Sequence, residues 1–327
     1  MCFRCLIKLL IYEIFYKDTI FIIFLLKSTN FAPRNMSTSK KKDSKGSAPK
    51  KSKKGKHGFS LKLKRWSDIG FMRRVWRVVW MSVVGLWLLS ILTVLFYRFV
   101  NPPITPLMVQ RFFQQYKEDG REVNFERDYV SINDISPNLV DAVVYSEDGA
   151  FMYHNGFDFK QLRLSYLENK KGKRVRGGST ISQQTAKNAF LPHSRTMLRK
   201  VVEAYFTRMI EIFWGKKRIM EVYLNIIEFG DGIYGCEAAS QHYFGHSVKN
   251  LTRREAAQLA VCLPAPLRMN PKHHGPYFER QTGVVQKRMD WGRVNLDMPK
   301  AKRKERAEQL KLESFGDIVV WFLFKRK

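Results

Sequence analysis

Cysteines are scarce in this sequence, which holds 4 among 327 residues. Cys2 and Cys5 form a C-x-x-C pair, but no partner ligands follow at the spacing of a zinc site. Cys236 and Cys262 lie in apolar helical patterns, so we expect two buried thiols, although a disulfide between them is chemically allowed outside the cytoplasm. The cysteines therefore predict no metal site.

Acidic residues are also few: 29 Asp and Glu stand against 58 Lys and Arg, which gives a formal net charge of +29. The imbalance is largest in residues 37–77, where only Asp43 and Asp68 interrupt the Lys and Arg residues. Such a segment is compatible with nucleic-acid binding, with a disordered tail, or with the cytoplasmic flank of a membrane helix. The sequence that follows favours the third interpretation, and we expect no nucleic-acid partner.

Residues 78–97 contain no charge at all. This run has the length that a helix needs to cross a hydrocarbon core of about 30 Å, and Trp80 and Tyr97 place aromatic rings near its two ends. A buried helix of a soluble core is the alternative, but the length and the flanks favour a transmembrane helix. Because the Lys and Arg excess precedes the run, we expect a single-pass protein with a cytoplasmic N-terminus and residues from 98 onward outside.

The chain divides by composition into five segments. Residues 1–35 include an apolar stretch broken by charges and lack a clear signal-peptide cleavage site, so we interpret them as a doubtful extension, with synthesis starting at Met36. The segments that follow are a basic cytoplasmic tail, the transmembrane helix, one exported domain and a C-terminal tail, at residues 36–77, 78–97, 98–290 and 291–327. The last tail ends in an apolar stretch and three cations, and it either lies on the membrane face or docks on the domain.

The exported domain is predicted to be mainly α-helical. Thr105-Pro106 and Ser136-Pro137 are helix start signals, and residues 252–255 form a capping box. Apolar residues at helical spacing then predict helices through Tyr116, up to Glu147, through Lys187, and over 199–213, 217–227 and 256–263. Strand signals are limited to stretches such as 122–125, and the basic, glycine-rich residues 168–178 predict a mobile loop.

Two dense polar blocks, at residues 147–158 and 177–188, stand out in this domain. Buried polar groups cost free energy unless they are paired, so the blocks point to chemistry instead of core packing. Glu147 closes a predicted helix and is followed by Asp148 and by aromatic residues, a mixture that favours a cleft over a solvated helix end. A partly desolvated carboxyl beside a second carboxylate has a raised pKa, which makes Glu147 a candidate general base.

The second block brings bare backbone N–H groups to a helix start, because Gly177-Gly178 lead directly into Ser179-Thr180. Such a helix start is a site for phosphate oxygens. Lys187 lies along the same helix, with Arg176 before it and Arg195 after it, and the three cations suggest a diphosphate clamp. The alternative is an ordinary turn and helix cap with solvated cations.

Glu203 is the second candidate acid. Two carboxylates that flank a sugar bond are the usual equipment of glycosyl chemistry. The alternative is that Glu203 forms an ion pair with Arg199, four residues earlier on the same helix.

The blocks carry a specific resemblance. Residues 147–158 match the motif Glu-Asp-x-x-Phe-x-x-His-x-Gly-x-Asp in full, and residues 177–188 match Gly-Gly-Ser-Thr-Ile-Thr-Gln-Gln-x-x-Lys-Asn except for Ser182 in place of Thr. Further motifs follow in order at residues 199–203, 217–225, 228–245 and 251–271. The chain thus resembles, over about residues 105 to 290, the family 51 peptidoglycan glycosyltransferases, especially the monofunctional biosynthetic transglycosylases. The resemblance implies a lysozyme-like glycosyltransferase fold.

The resemblance also implies a substrate and a mechanism. The substrate would be lipid II, and Glu147 would deprotonate the 4-hydroxyl of the acceptor sugar, which attacks the donor sugar with inversion. Lys187 and Arg195 would stabilise the departing undecaprenyl diphosphate, and Glu203 would assist directly or through a divalent cation (Mg²⁺ or Mn²⁺), the one cofactor considered. The remaining expected substrate-binding residues are Asp148, Phe151, His154, Arg176, Gly178, Ser179, Thr180, Gln183, Gln184, Asn188 and Arg199.

The expected partners follow from this resemblance: the membrane, lipid II and the nascent glycan strand. The sequence after residue 290 is too short for a transpeptidase domain, so crosslinking would fall to a partner transpeptidase. The expected location is the bacterial inner membrane, with the catalytic domain on the periplasmic side. A lysozyme-like hydrolase and a membrane-tethered scaffold are the alternatives, but a hydrolase needs no phosphate-binding cations and a scaffold needs no intact acids.

Overall fold

The computed structural model describes residues 66–118, 122–170, 178–194, 196–272 and 275–310. The chain consists of two compact units, Met1–Ser90 and Ile91–Lys327. The predictions for the extension 1–35, for most of the basic tail and for residues 311–327 lie outside the described residues. Within the described residues the second unit is mainly helical, which confirms the predicted fold class.

The first helix, α1 (Trp66–Phe99), is long and apolar. Its Gly70–Phe99 portion has a mean hydropathy of 2.3, and only 6% of its most apolar window is buried. An exposed apolar helix of this kind fits a membrane anchor better than a core helix. It would extend about 45 Å, longer than a hydrocarbon core of about 30 Å, so the prediction of a single anchor is compatible with it. The orientation of the anchor stays a prediction.

The remaining elements form the second unit. Its helices are α2 (Pro106–Tyr116), α3 (Pro137–Glu147), α4 (Phe159–Lys170), α5 (Ile181–Phe190), α6 (Met197–Phe213), α7 (Lys216–Ile226), α8 (Cys236–Phe244), α9 (Arg253–Cys262), α10 (Pro276–Met289) and α11 (Lys300–Gln309). Two short 3₁₀ helices, Ile132–Asp134 and Val248–Asn250, lie between them. The three strands are β1 (Glu126–Arg127), β2 (Glu228–Gly230) and β3 (Ile233–Tyr234).

The two polar blocks are attached to two helices of the core: α3 ends at Glu147, where the first block begins, and α5 contains most of the second block. Helix α3 packs on α9 and α10, and α5 packs on α6 and α7. The predicted apolar face of α3 is buried: Leu139 and Val143 have no exposed surface. Each such side chain stabilises the fold by about 1.5–3 kcal/mol relative to an exposed one. The end of α3 is therefore held in a fixed position.

The helix starts agree with the local chemistry. The Thr105 hydroxyl accepts a hydrogen bond from the Met108 N–H at 3.3 Å, and full capping boxes join Thr180 to Gln183 and Thr252 to Glu255. These contacts confirm the predicted starts of α2, α5 and α9. Helix α4 runs to Lys170, so the predicted loop begins too early, and its residues 171–177 lie outside the described residues.

The small sheet has the order β1-β3-β2, with β1 parallel and β2 antiparallel to β3. The strand predicted at 122–125 is misplaced. Asn124 donates from its backbone N–H to the Gln115 side-chain oxygen and from its side-chain amide to the Asp231 carbonyl, and strand pairing starts only at Glu126. Gly232 in the β2–β3 turn has φ +76°, and a Cβ there would lie 2.1 Å from the Asn124 carbonyl oxygen. Only glycine fits this turn.

The last turns of α1 belong to the second unit and are tied to it. Trp214 Nε1 donates to the Val94 carbonyl at 2.8 Å. Arg218 donates to the Tyr97 and Val100 carbonyls at 2.8 and 3.0 Å, so a cation sits at the helix C-terminus, where the helix dipole favours it. The described end of the apolar helix is thus fixed to the helical domain.

Cys236 and Cys262 are free and buried, as expected. Burial raises the pKa of both thiols, to about 12 for Cys262. They are inert core side chains at neutral pH.

Candidate active site

Glu147 is the last residue of α3, and its carboxyl faces the second polar block. Gln184 Nε2 donates to Glu147 Oε2 at 2.8 Å. Burial raises the pKa of Glu147 and the nearby charge of Asp148 adds to the rise, while the Gln184 hydrogen bond and the Lys187 charge oppose it. A carboxyl with a raised pKa can accept a proton efficiently near neutral pH, so the arrangement fits a general base.

A cavity of about 320 Å³ opens beside Glu147. The cavity brings the two polar blocks together, because both contribute to its lining. The lining consists of residues 145–150, Asp158, Gln161, residues 178–180, Arg288 and Trp291. A sugar-sized group could enter here and meet the Glu147 carboxyl.

Eight lining residues were not predicted as part of the site, and two of them, Arg288 and Trp291, come from far along the chain. The Trp291 side chain is 73% exposed, and its ring meets the Tyr145 ring edge-on with centroids 5.9 Å apart. Exposed aromatic rings offer broad apolar contact area together with a polar edge. The only sequence signal was a tryptophan that follows directly after a polar helix, and this pattern alone does not identify a ligand contact.

Asp148 holds the two polar blocks together. Its carboxylate accepts from His154 Nε2 at 2.9 Å and from the Ile181 N–H at 3.0 Å. The Gly156 N–H donates to His154 Nδ1 at 3.0 Å, which leaves the ring proton on Nε2. Burial works to raise the pKa of Asp148, but the interactions with His154, with the Ile181 N–H and with the charge of Lys216 outweigh it and lower the pKa. Asp148 is therefore ionised next to Glu147.

A cluster of cations surrounds Glu203, whose side chain is only 2% exposed. Arg199 Nη1 lies 2.5 Å from Glu203 Oε2, and Lys200 Nζ binds Glu203 Oε1. The ion pair with Arg199, stated above as an alternative, is present. Lys200 also reaches the Ser179 hydroxyl at 3.4 Å, so it joins this cluster to the start of α5. The sequence had assigned no role to Lys200.

Lys187 projects from α5 toward the same cluster. Burial lowers the pKa of Lys187, as do the charges of Arg199 and Lys200, while the Glu203 charge opposes the shift. Burial and the Lys187 charge, together with neighbouring arginines, lower the pKa of His193 to about 4. The ring is therefore neutral at pH 7, in a region of positive potential. Such a region can hold an anionic group.

Several predicted substrate-binding residues are buried or hydrogen-bonded to other residues of the protein. Phe151 has no exposed surface, His154 is committed to Asp148, and Asn188 is 1% exposed with an amide that no described residue satisfies. The side chains of Thr180 and Gln183 form the capping box at the start of α5. The geometry points to positioning for these residues, of which only Thr180 also lines the cavity beside Glu147.

The other predicted substrate-binding residues either lie at the cavity, bind one of the two acids, or fall outside the described residues. Gly178 and Ser179 line the cavity, Gln184 binds Glu147, and Arg199 binds Glu203. Arg176 and Arg195 lie outside the described residues, so their predicted role in a diphosphate clamp stays a prediction.

Comparison with known proteins identifies the family. A family model described as Transglycosylase matches residues 114–290. A biosynthetic peptidoglycan transglycosylase of Caulobacter vibrioides is 48% identical over 197 residues, covering 60% of this chain and 83% of the relative. Relatives of the same name from Shewanella oneidensis and Xylella fastidiosa are 44% and 40% identical, covering 69% and 72% of this chain and 97% and 98% of their own length. The chain therefore belongs to the transglycosylase family.

Proposed function

We propose that the protein is a peptidoglycan glycosyltransferase that polymerises lipid II into β-1,4-linked glycan strands and releases undecaprenyl diphosphate. The observation that carries the proposal is the position of Glu147, a carboxyl of raised pKa between a sugar-sized cavity and a cluster of cations. The relatives named biosynthetic peptidoglycan transglycosylase support the choice of polymer.

On the acceptor side, the 4-hydroxyl of the acceptor sugar approaches Glu147 from the cavity. Glu147 removes the proton as the oxygen attacks the donor sugar carbon from the face opposite the diphosphate, which inverts that carbon. Gln184 orients the carboxyl through its hydrogen bond. Asp148 is ionised nearby and raises the pKa of the base. The aromatic pair of Tyr145 and Trp291 offers a surface for the sugar ring.

On the donor side, the leaving diphosphate gains charge as the bond to the sugar breaks. Lys187 lies one turn beyond Gln184 on α5, so one helix presents both the partner of the base and a cation for the leaving group. Lys200 and Arg199 add positive charge, and Arg195 is expected to do so. Fixed cations at the place where charge develops stabilise the transition state.

Glu203 acts, in this proposal, by positioning Arg199 and Lys200. The resemblance implied instead that Glu203 assists at the diphosphate directly or through a divalent cation. The donor set fits such an ion poorly, because both Glu203 oxygens already bind cationic side chains, and within the described ranges no three His, Cys, Asp or Glu residues are grouped as metal ligands. No step is therefore assigned to a metal.

The membrane anchor fits a substrate whose lipid stays in the bilayer. We propose that the N-terminus lies in the cytoplasm and that the catalytic domain works on the outer side of the bacterial cytoplasmic membrane. The crosslinking of the glycan would fall to a separate transpeptidase.

Incubation of the purified full chain with labelled lipid II tests the proposal. Formation of glycan polymer is the expected result. Cleavage of preformed glycan without polymerisation would identify a hydrolase, and the absence of both reactions would leave a scaffold; either outcome overturns the proposal.

A further inference from the structure

A second cavity, of about 290 Å³, shares no lining residue with the cavity at Glu147. One side is formed by helix α11. The other is formed by Trp214 and Lys216 at the junction of α6 and α7, by Glu211, and by Met152, Tyr153 and Asn155. The family match ends at residue 290, so helix α11 lies beyond the matched region. The proposed reaction uses none of these residues.

The wall formed by α11 is strongly cationic. Lys300, Arg303 and Lys304 lie at helical positions i, i+3 and i+4, and all three line the cavity. Arg303 Nε is buried, and no residue in the described part of the chain accepts a hydrogen bond from it. Lys304 Nζ lies 4.0 Å from the Glu308 carboxylate, and because both side chains are mostly exposed, the pair is weak.

Acidic groups do not offset this charge. Glu211 is the one acid in the lining, and it is committed to Lys216 at 2.6 Å, with both side chains buried. Ser182 also donates to Glu211 at 2.5 Å. The cavity therefore presents three cations of α11 that the lining acid leaves uncompensated, and an anion is the ligand that would match them.

The cavity lies beside the end of the apolar helix. Trp214 is part of its lining and donates to the Val94 carbonyl in the last turns of α1. Val94 is three residues, about 4.5 Å along the helix axis, before Tyr97, where the predicted membrane span ends. Tryptophan prefers this interfacial depth, which is also the level of the phosphate groups of the lipids.

We propose that this second cavity binds the phosphate headgroup of an anionic membrane phospholipid. Lys300, Arg303 and Lys304 hold the phosphate, and Arg303 Nε donates to one of its oxygens. A free phosphate or diphosphate has the same charge chemistry. The position of Trp214 against the end of the apolar helix favours the lipid as the source. The bound headgroup fixes α11, and with it the exported domain, against the membrane surface.

The test compares two double variants of the full chain with equal loss of charge. The first, Lys300→Ala with Lys304→Ala, removes two lining cations. The second, Lys302→Ala with Arg306→Ala, removes two cations of the same helix that are not part of the lining. Alanine favours the helix at all four positions, so the helix itself is kept.

Binding of phosphatidylglycerol to the detergent-solubilised chain is measured, with phosphatidylcholine as the neutral lipid and with inorganic phosphate and diphosphate as competitors. We expect phosphatidylglycerol binding to fall about tenfold in the lining variant and less than twofold in the matched variant. Phosphatidylcholine should bind weakly to all forms.

Three outcomes would overturn the proposal. Equal losses in the two double variants would mean a general charge effect. Equal binding of the two lipids would show that the cavity does not recognise the anionic headgroup. Strong displacement by millimolar phosphate, without a preference between the lipids, would identify a free anion as the ligand. Polymerisation of lipid II by the same preparations is measured separately, so a failure of the proposed enzyme activity is distinguishable from a failure of this site.

Discussion

Replacing Asp148 by Asn tests how the two polar blocks are joined. The Asp148 carboxylate accepts from His154 Nε2 and from the Ile181 N–H. Both bonds reach Oδ2, and Oδ1 also lies 3.0 Å from His154 Nε2. An amide oxygen can take the Oδ2 position, but the NH₂ group then stands at the Oδ1 position, where one N–H donor faces another. One buried donor is therefore left without a partner.

The size of the effect follows from the lost interactions. An unsatisfied buried donor costs about 1–3 kcal/mol. In a domain of this size each kcal/mol lowers Tm by about 2–4 °C. The pKa of Asp148 is lowered in the folded protein, so its charge stabilises the fold above the pKa of the unfolded chain, and this stabilisation is lost as the pH falls through the folded value. The stability difference between the wild type and Asp148→Asn should therefore shrink below about pH 4.

The variant Asp148→Asn should also lower the pKa of the proposed base, Glu147. Because the Asp148 charge contributes to the raised pKa of Glu147, the acid limb of the polymerisation rate should move to lower pH in Asp148→Asn. Thermal unfolding between pH 3 and 8 and the pH–rate profile check both effects, with Asp134→Asn, an exposed ion-pair partner, as the control. An unchanged Tm at pH 7 together with an unchanged acid limb would refute this account of Asp148.

Three further predictions concern separate parts of the domain. Lys187→Ala should lower kcat for lipid II by about 10²-fold or more, with the exposed Lys249→Ala as control, since a fixed cation for the leaving group is lost; an unchanged kcat would exclude the diphosphate role. Lys216→Met leaves the buried Glu211 carboxylate without its cation and should destabilise the fold by about 3–5 kcal/mol. Thermal or denaturant unfolding measures this change, and an unchanged stability would contradict the buried pair. Gly232→Ala should cost at least about 1–3 kcal/mol by the same measurement, because a Cβ would collide with the Asn124 carbonyl oxygen; wild-type stability would show that the turn can relax.

The sequence could predict the features that depend on near neighbours. The capping boxes at Thr180 and Thr252 were predictable because each joins a hydroxyl to a backbone group three residues away. The same holds for the ion pair of Arg199 with Glu203, which are one helical turn apart. Interactions between residues three or four positions apart can be predicted from their spacing in the sequence.

Contacts between distant parts of the chain could not be predicted. The bond from the Ile181 N–H to Asp148 joins residues 33 positions apart, and the bond from Ser182 to Glu211 joins residues 29 positions apart. Both depend on how α3, α5 and α6 pack. The packing around Phe151 is another such case: the resemblance implied that this residue binds substrate, and the structure buries its ring with Lys216 Nζ 4.5 Å from its centre.

The role of Trp291 at the cavity was missed for a similar physical reason. Its ring reaches the site because the chain after α10 returns to α3, where the Val294 N–H and Arg293 bind the Asp141 carboxylate at 2.9 and 2.7 Å. A single buried acid on α3 thus fixes a segment about 150 residues later. No periodicity or motif in the sequence indicates this return.

The central claim is that Glu147 is the base of a glycosyl transfer from lipid II. Its most direct test is the polymerisation rate of Glu147→Gln against the wild type and against Glu308→Gln, an exposed glutamate of α11. We predict a loss of about 10²–10⁴-fold in Glu147→Gln, an unchanged rate in Glu308→Gln, and a wild-type rate that rises with pH through a pKa above the usual value for Glu. Near-normal polymerisation by Glu147→Gln would contradict the account.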